Sequence, residues 1–123
     1  MVTEQSLRTL YRHIDGLEMS AFLEALTDDV ILQFSNAPLA HGKAQVEENL
    51  TQLFGLLRGM QHDFQHIWPV DGGRTWVLDA RITYLEKDGT SAVLPCVTIV
   101  EAAGDKLSNV RIYLDISPVT GQP

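Results

Sequence analysis

Two oppositely charged side chains lie at the centre of an otherwise apolar strand pattern. The segment 75–86 reads TWVLDARITYLE, and side chains in a strand alternate between its two faces. Asp79 and Arg81 therefore share one face with Thr83, while apolar and aromatic residues occupy the other. A charged pair in this setting either faces water or lines a cavity. In a cavity, Arg81 and Asp79 would orient a ligand or activate a water molecule.

Histidine and tyrosine side chains offer a second set of groups for proton transfer. Histidine changes charge near neutral pH, so His62 is either an acid–base group or a hydrogen-bonded structural residue. Tyr11 lies on the apolar stripe of a predicted helix, where its hydroxyl can donate to a ligand or to a buried polar partner. His62 and His66 are four residues apart on a predicted strand, which is too far for easy metal chelation. We therefore expect no metal and no cofactor.

The overall composition narrows the classes of partner. The chain has 123 residues and a formal net charge of -7, from 9 basic and 16 acidic residues. This balance argues against nucleic acid and membrane surfaces as partners, because both require clustered Lys and Arg. The one cysteine, Cys96, excludes an internal disulfide. No apolar run approaches the roughly 20 residues of a spanning helix, and the N-terminus lacks a signal-peptide pattern. We expect a soluble, cytoplasmic protein with a single domain over residues 1–123.

The order of predicted elements indicates an α+β domain. Apolar residues at helical spacing predict helices near residues 7–17, 20–26 and 46–57, with a short strand at 30–34 between the last two. The second half predicts four long strands, 62–70, 74–86, 90–102 and 106–117, separated by tight turns such as Asp88-Gly89. Three helices followed by a meander of antiparallel strands are typical of an α+β fold.

Three stretches carry a resemblance to the NTF2-like superfamily, in its SnoaL-like and ketosteroid isomerase-like branch. They are LYRHIDGLEMSAFLEALTDDVILQF, HGKAQVEENL and DGTSAVLPCVTIVEAAGDKLSNVRIYLDISPV, and together they cover nearly the whole chain. The resemblance implies a cone-shaped α+β roll, in which three N-terminal helices pack on a curved, mostly antiparallel sheet. It also implies an apolar pocket and a homodimer formed through the outer face of the sheet. Proteins that share such a fold differ in function, so the resemblance by itself does not identify the activity.

For each type of enzyme in this branch, only some of its catalytic residues have a match in this sequence. Ketosteroid isomerases resemble this chain at Tyr11, but their two Asp positions fall near Phe34 and Val97. Limonene epoxide hydrolase-like members resemble it at Arg81, whereas their Asp positions become Thr83 and Ile112, with Asp79 as a substitute on the Arg81 face.

Two further enzyme types of the branch match this sequence at one catalytic residue each. Scytalone dehydratase-like members resemble the chain at His62, but their Asp falls near Arg12. Polyketide cyclases use an acid near the end of the sheet, for which Asp115 is a loose match. Alternation along the last strand favours an outward position for Asp115, toward solvent or a dimer partner.

We therefore predict a protein with an apolar pocket for a small polyketide-, terpenoid- or steroid-like molecule. Its activity would be a proton transfer of isomerase, dehydratase, cyclase or epoxide-hydrolase type. The predicted catalytic residues are Arg81, Asp79, His62 and Tyr11, and the predicted pocket residues are Phe34, Phe54, Trp68, Thr83, Val97 and Ile112. The alternatives are a non-catalytic ligand-binding or dimerisation domain, which the missing carboxylates favour, and a protein–protein adaptor.

Overall fold

The computed structural model describes residues 1–121. Within this range the helices are α1 (Glu4–Asp15), α2 (Met19–Glu24), α3 (Gly42–Phe54) and the short α4 (Ser117–Thr120). The strands are β1 (Leu26–Phe34), β2 (Ala40–His41), β3 (Leu57–Val70), β4 (Thr75–Glu86), β5 (Ser91–Ala103) and β6 (Lys106–Tyr113), with a 3₁₀ turn at Asp71–Gly73 between β3 and β4.

The strands form one six-stranded sheet in the order β2-β1-β6-β5-β4-β3. Strands β3 to β6 make an antiparallel meander, while β1 pairs in parallel with β6 and antiparallel with β2. The predicted α+β class with a curved, mostly antiparallel sheet is confirmed. The helix α4 is an addition that the strand pattern of residues 106–117 did not indicate.

Some element boundaries differ from the sequence prediction. Leu57 was expected on the third helix, but α3 ends at Phe54 and Leu57 opens β3 as a buried residue. Leu26 was expected in the second helix, but it begins β1 and pairs with Leu107. Both leucines satisfy the apolar periodicity of the preceding helix and of the following strand, so the pattern alone assigns them to either element.

The hydrophobic core lies between the helices and the inner face of the sheet. Along β4, the residues Trp76, Leu78, Ala80, Ile82 and Tyr84 are all buried, and they are the set that strand alternation placed on one face. They meet the apolar stripes of α1 and α3, which include Leu7, Ile14, Val46 and Leu50. The core is therefore one layer of apolar contacts, with helices on one side and the sheet on the other.

The N-terminus of α1 is held by a capping box. The Thr3 hydroxyl accepts a hydrogen bond from the Ser6 backbone N–H at 3.0 Å, and the Ser6 hydroxyl accepts one from the Thr3 N–H at 2.8 Å. These contacts satisfy backbone donors that would otherwise lack a helical partner. The helix ends at Asp15, and the N–H of the following Gly16 still donates to the Arg12 carbonyl at 3.2 Å.

Among residues 1–121, no helix is long and apolar enough to cross a membrane. The cytoplasmic location expected from the sequence stays a prediction.

Candidate functional site

A small cavity of about 50 Å³ lies between the helices and the inner face of the sheet. Its walls are aliphatic and aromatic side chains from α1, α2, α3 and the facing strands. Four side chains with polar atoms interrupt this apolar lining, namely Tyr11, His62, Tyr84 and Thr98. An apolar pocket with a few convergent polar groups is the usual form of a small-molecule site.

The strongest polar contact at the cavity joins Asp15 and His62. The His62 Nδ1 lies 2.6 Å from Asp15 Oδ1, and the His62 backbone N–H donates to Asp15 Oδ2 at 3.0 Å. The His62 side chain is 7% exposed and that of Asp15 is 22% exposed. One carboxylate therefore holds both the ring and the backbone of His62, which leaves the imidazole little freedom to rotate.

This contact defines which imidazole nitrogen is available to a ligand. An ionised carboxylate only accepts hydrogen bonds, so Nδ1 must carry the proton that is donated to Asp15. In the neutral ring, the lone pair then lies on Nε2. An Asp–His pair of this kind presents a base whose tautomer and orientation are set in advance.

Two residues of the site, Tyr11 and Asp15, lie on the same face of helix α1. Tyr11 and Asp15 are four residues apart, so their side chains are neighbours on the helix surface. The Tyr11 ring packs edge-on against the His62 ring, with centroids 4.7 Å apart, while the Phe64 ring stacks near His62 at 5.7 Å. A carboxylate in the last turn opposes the helix dipole, and the two hydrogen bonds from His62 offset this cost at Asp15.

The two cavity tyrosines are held in their protonated form. Burial raises the pKa of Tyr11, and a hydrogen bond with Thr98 offsets only part of this effect. Burial also raises the pKa of Tyr84. Thr98 in turn lies 3.7 Å from the Cys96 sulfur, and burial raises the pKa of that thiol as well. The cavity thus offers neutral hydroxyl donors beside one oriented base.

Five of the residues predicted for the site lie on the cavity wall. Tyr11 and His62 were expected as proton-transfer groups, and Phe34, Phe54 and Ile112 were expected as pocket residues. Their contact with a ligand stays a prediction.

Arg81 and Asp79 do not line this cavity, so their predicted placement there is wrong. Arg81 is exposed on the outer face of the sheet, where it pairs in register with Asp63 of β3. Asp79 Oδ2 instead contacts His66 Nδ1 at 3.0 Å. Because the even positions of β4 fill the core, strand alternation turns these odd positions outward.

Trp68, Thr83 and Val97 also lie away from the cavity, which corrects their predicted assignment to the pocket. Thr83 and Val97 share the outer sheet face with Arg81. Trp68 is 47% exposed and stacks on the His66 ring at 4.4 Å. In β3 the register shifts between Phe64 and His66, and the extra residue of such a bulge changes the face on which the following side chains lie.

Asp115 is exposed beyond β6, which agrees with the outward position favoured by the strand alternation. Its carboxylate accepts a hydrogen bond from the Ser117 backbone N–H at 3.0 Å, and its contacts with Ser117 lower the pKa of the group. Asp115 thus holds the start of α4.

Sequence reasoning missed three residues of the site: Asp15, Tyr84 and Thr98. The available signal for Asp15 was its spacing of four from Tyr11 on the apolar stripe of α1. Thr98 alternates with the buried residues Cys96 and Val100, which marks it as an inward polar side chain. Asp15 lies one helical turn after Tyr11, on the helix face that meets β3.

Within the described residues, no group of three or more His, Cys, Asp or Glu side chains is arranged to hold a metal ion.

Solved structures of known proteins share this fold. A hypothetical protein with a ketosteroid isomerase-like fold from Catenulispora acidiphila, in complex with trimethylamine, has a TM-score of 0.82 at 14% identity, covering 98% of this chain and 93% of that chain. A putative SnoaL-like polyketide cyclase from Jannaschia sp. CCS1 has a TM-score of 0.74 at 17% identity, covering 95% and 92%. An epoxide hydrolase of limonene epoxide hydrolase type from Mycobacterium tuberculosis has a TM-score of 0.76 at 12% identity, covering 95% and 85%. At these identities the likeness defines the NTF2-like fold.

The family follows from the sequence itself. The model of the SnoaL-like domain matches residues 7–110, and the chain belongs to this family. No curated protein matches the sequence at a significant level.

Proposed function

We propose that this SnoaL-like protein is a proton-transfer enzyme for an apolar small molecule of polyketide, terpenoid or steroid type. The observation that carries this proposal is the Asp15–His62 pair. Its ring nitrogen and carboxylate oxygen are 2.6 Å apart, and the imidazole is buried at the wall of an apolar cavity. Isomerisations, eliminations and aldol-type cyclisations on such molecules share one step, the removal of a proton from carbon.

The residues of the cavity suit that step. His62 Nε2 would take the proton from a carbon next to a carbonyl, and the electron pair of the broken C–H bond would form an enolate. The Tyr11 hydroxyl would donate a hydrogen bond to the developing enolate oxygen, which a low-dielectric cavity makes effective. Because burial keeps both tyrosines protonated, they supply donors without adding negative charge. Asp15 acts through His62 as a positioning residue.

The test is deuterium exchange at carbon in a panel of apolar cyclic ketones incubated with the protein in heavy water. The wild-type protein should speed incorporation at the position next to the carbonyl, measured by mass spectrometry. His62→Gln should lower that rate about 10²- to 10⁴-fold, the usual range for loss of a general base. Asp15→Asn should lower it by a smaller factor, because the base remains but its orientation is lost.

The second Asp–His pair of the molecule provides the matched control. His66 and Asp79 form the same type of contact on the outer face, where their side chains are 54% and 36% exposed. His66→Gln and Asp79→Asn should leave the exchange rate unchanged. Equal losses from His66→Gln and His62→Gln would refute the assignment of the base to His62.

The alternative function is a ligand-binding or dimerisation domain without catalysis. The outer sheet face favours a dimerisation role, since Val93 is 60% exposed and Tyr113 is 49% exposed there. Charged groups of both signs, including Arg81 and Asp79, flank these residues, and a patch with both signs can complement a second copy of itself across a two-fold axis. Exchange that stays at the solvent rate for every ketone would favour this alternative.

A further inference from the structure

A second and larger space opens beside the cavity. This groove has a volume of about 930 Å³ and lies between the loop 35–39, α3, Leu56 and residues at and just before α4. Phe34, Leu50 and Leu53 line both the cavity and the groove. These shared side chains place the groove directly beside the cavity and His62.

The sizes of the two spaces limit what the cavity can hold. A water molecule occupies roughly 30 Å³ in the liquid, so a cavity of about 50 Å³ accepts only a small group. Binding sites for drug-sized molecules are roughly 300–1,000 Å³, and the groove is in this range. A polycyclic ligand that reaches His62 must therefore leave most of its atoms in the groove.

The groove wall on α3 is a stripe of side-chain amides. Gln45, Asn49 and Gln52 recur at spacings of three and four and face the groove together with Glu48. The Gln45 side-chain oxygen accepts from the His41 backbone N–H at 2.8 Å, which leaves its amide N–H groups for other acceptors. Within residues 1–121, Asn49 and Gln52 have no side-chain hydrogen-bond partner in the chain. The stripe thus presents hydrogen-bonding groups that only water or a ligand satisfies.

Apolar surface and charge complete the chemistry of the groove. Leu39 and Leu56, at 47% and 44% exposure, lie on its rim. No described residue of its lining is Lys, Arg or His, and its one charged side chain is Glu48. An anionic group in the groove would meet a carboxylate and no cation, which is unfavourable.

We infer that the groove is the second half of the ligand site and that it selects ligands with an apolar ring system and an uncharged, hydroxyl-bearing portion over carboxylated ligands. This inference rests on the proposed function, because it describes the part of the ligand that His62 does not touch. A small apolar group at one end of the ligand enters the cavity, the rest of the ring system lies in the groove, and the hydroxylated portion hydrogen-bonds to the amide stripe of α3.

The test uses two probes that differ by one charge. The neutral probe is 4-methylumbelliferyl β-D-glucoside, and the anionic probe is the corresponding glucuronide, in which a carboxylate replaces the sugar CH₂OH. Dissociation constants come from NMR titration of the wild-type protein, with the side-chain amide signals of Asn49 and Gln52 as local reporters. We expect the glucoside to bind about tenfold more tightly, which corresponds to about 1.4 kcal/mol.

Neighbouring glutamates on α3 give a matched pair of variants. Glu48→Lys changes the charge within the groove and should remove or reverse the preference for the glucoside. Glu47→Lys makes the same charge change at an exposed residue outside the groove lining and should leave the preference intact. The double variant Asn49→Ala/Gln52→Ala should bind the glucoside no better than 7-methoxy-4-methylcoumarin, which lacks the sugar.

Several results would overturn the inference. They are equal affinity for the two probes, equal effects of Glu48→Lys and Glu47→Lys, chemical-shift changes that map away from the groove, or no binding of either probe. If the ketone exchange fails but the glucoside binds selectively, proton transfer is rejected and the groove inference stands. If the exchange occurs but the glucoside does not bind selectively, the groove inference is rejected and proton transfer stands.

Discussion

The side chains of His62 and His66 show how burial alone separates two similar pairs. Each imidazole contacts an aspartate through Nδ1, at 2.6 Å for His62 and 3.0 Å for His66. The His66 side chain is 54% exposed, so water and salt screen its interaction with Asp79. His62 lies in an apolar wall, where charge interactions are stronger. His62, the buried histidine of the two, is therefore the candidate base.

The buried tyrosines predict a loss of stability at alkaline pH. A free tyrosine has a pKa of about 10, and burial raises the pKa of Tyr84 in the folded protein. The folded state then keeps a proton that the unfolded state releases, so stability is unchanged below pH about 10 and falls as the pH rises above it. Tyr84→Phe should weaken this alkaline fall, measured by urea unfolding at several pH values.

The control for this prediction is Tyr113→Phe, which removes a phenol that is 49% exposed. Its stability should fall with pH as in the wild type. A wild-type stability that stays level up to the alkaline limit of the assay would contradict the raised pKa of Tyr84.

At the level of elements, α1 is the part of the fold on which the site depends most. It supplies Tyr11 and Asp15, and Asp15 joins the end of α1 to the backbone and ring of His62 in β3. The aromatic contacts of Tyr11 with His62 and Phe64 also connect α1 to β3. A shift of α1 along its axis would separate the base from its carboxylate.

The capping box of α1 can be tested by a single substitution. Thr3→Ala removes the hydroxyl that accepts from the Ser6 N–H and should lower the free energy of unfolding by about 1 kcal/mol. Ser20→Ala, at an exposed position within α2, should cost little, because alanine is the better helix former. The measurement is urea denaturation of both variants, and equal stability of Thr3→Ala and the wild type would show that the cap contributes nothing.

At the level of the whole molecule, the sheet has one face buried by helices and one face open. The open face combines exposed valines with oppositely charged groups, including the Arg111–Glu101 contact at 2.5 Å. If the proposed homodimer forms here, Val93→Asp should raise the dimer dissociation constant by at least about tenfold, because it buries an unpaired charge.

Light scattering across a concentration series is the measurement for the dimer. Thr51→Asp adds the same charge at an exposed position of α3 and should not change association. A wild-type protein that remains monomeric throughout the series would contradict the homodimer.

The α+β class, the meander β3–β6 and the division of β4 into an apolar and a polar face could all be predicted from the sequence. Each depends on local periodicity, on tight turns such as Asp88-Gly89, or on the alternation of side chains in strands. The position of Tyr11 on the apolar stripe of α1 follows from the same local rules. Leu57 and Leu26 were misassigned because they satisfy the periodicity of two adjacent elements at once.

The partners of those residues required the tertiary structure. The Asp15–His62 contact joins positions 47 residues apart in the chain, and no periodicity relates them. Which face of β4 carries the site was equally undetermined, because alternation separates Asp79 and Arg81 from the apolar residues without saying which set meets the helices. The sequence by itself determined the elements and their two-sided character, since these arise from interactions between near neighbours. Only the packing of the helices on the sheet decided that the buried Asp–His pair includes His62 and that the charged pair Asp79 and Arg81 lies on the outer face, because that placement depends on contacts between distant segments.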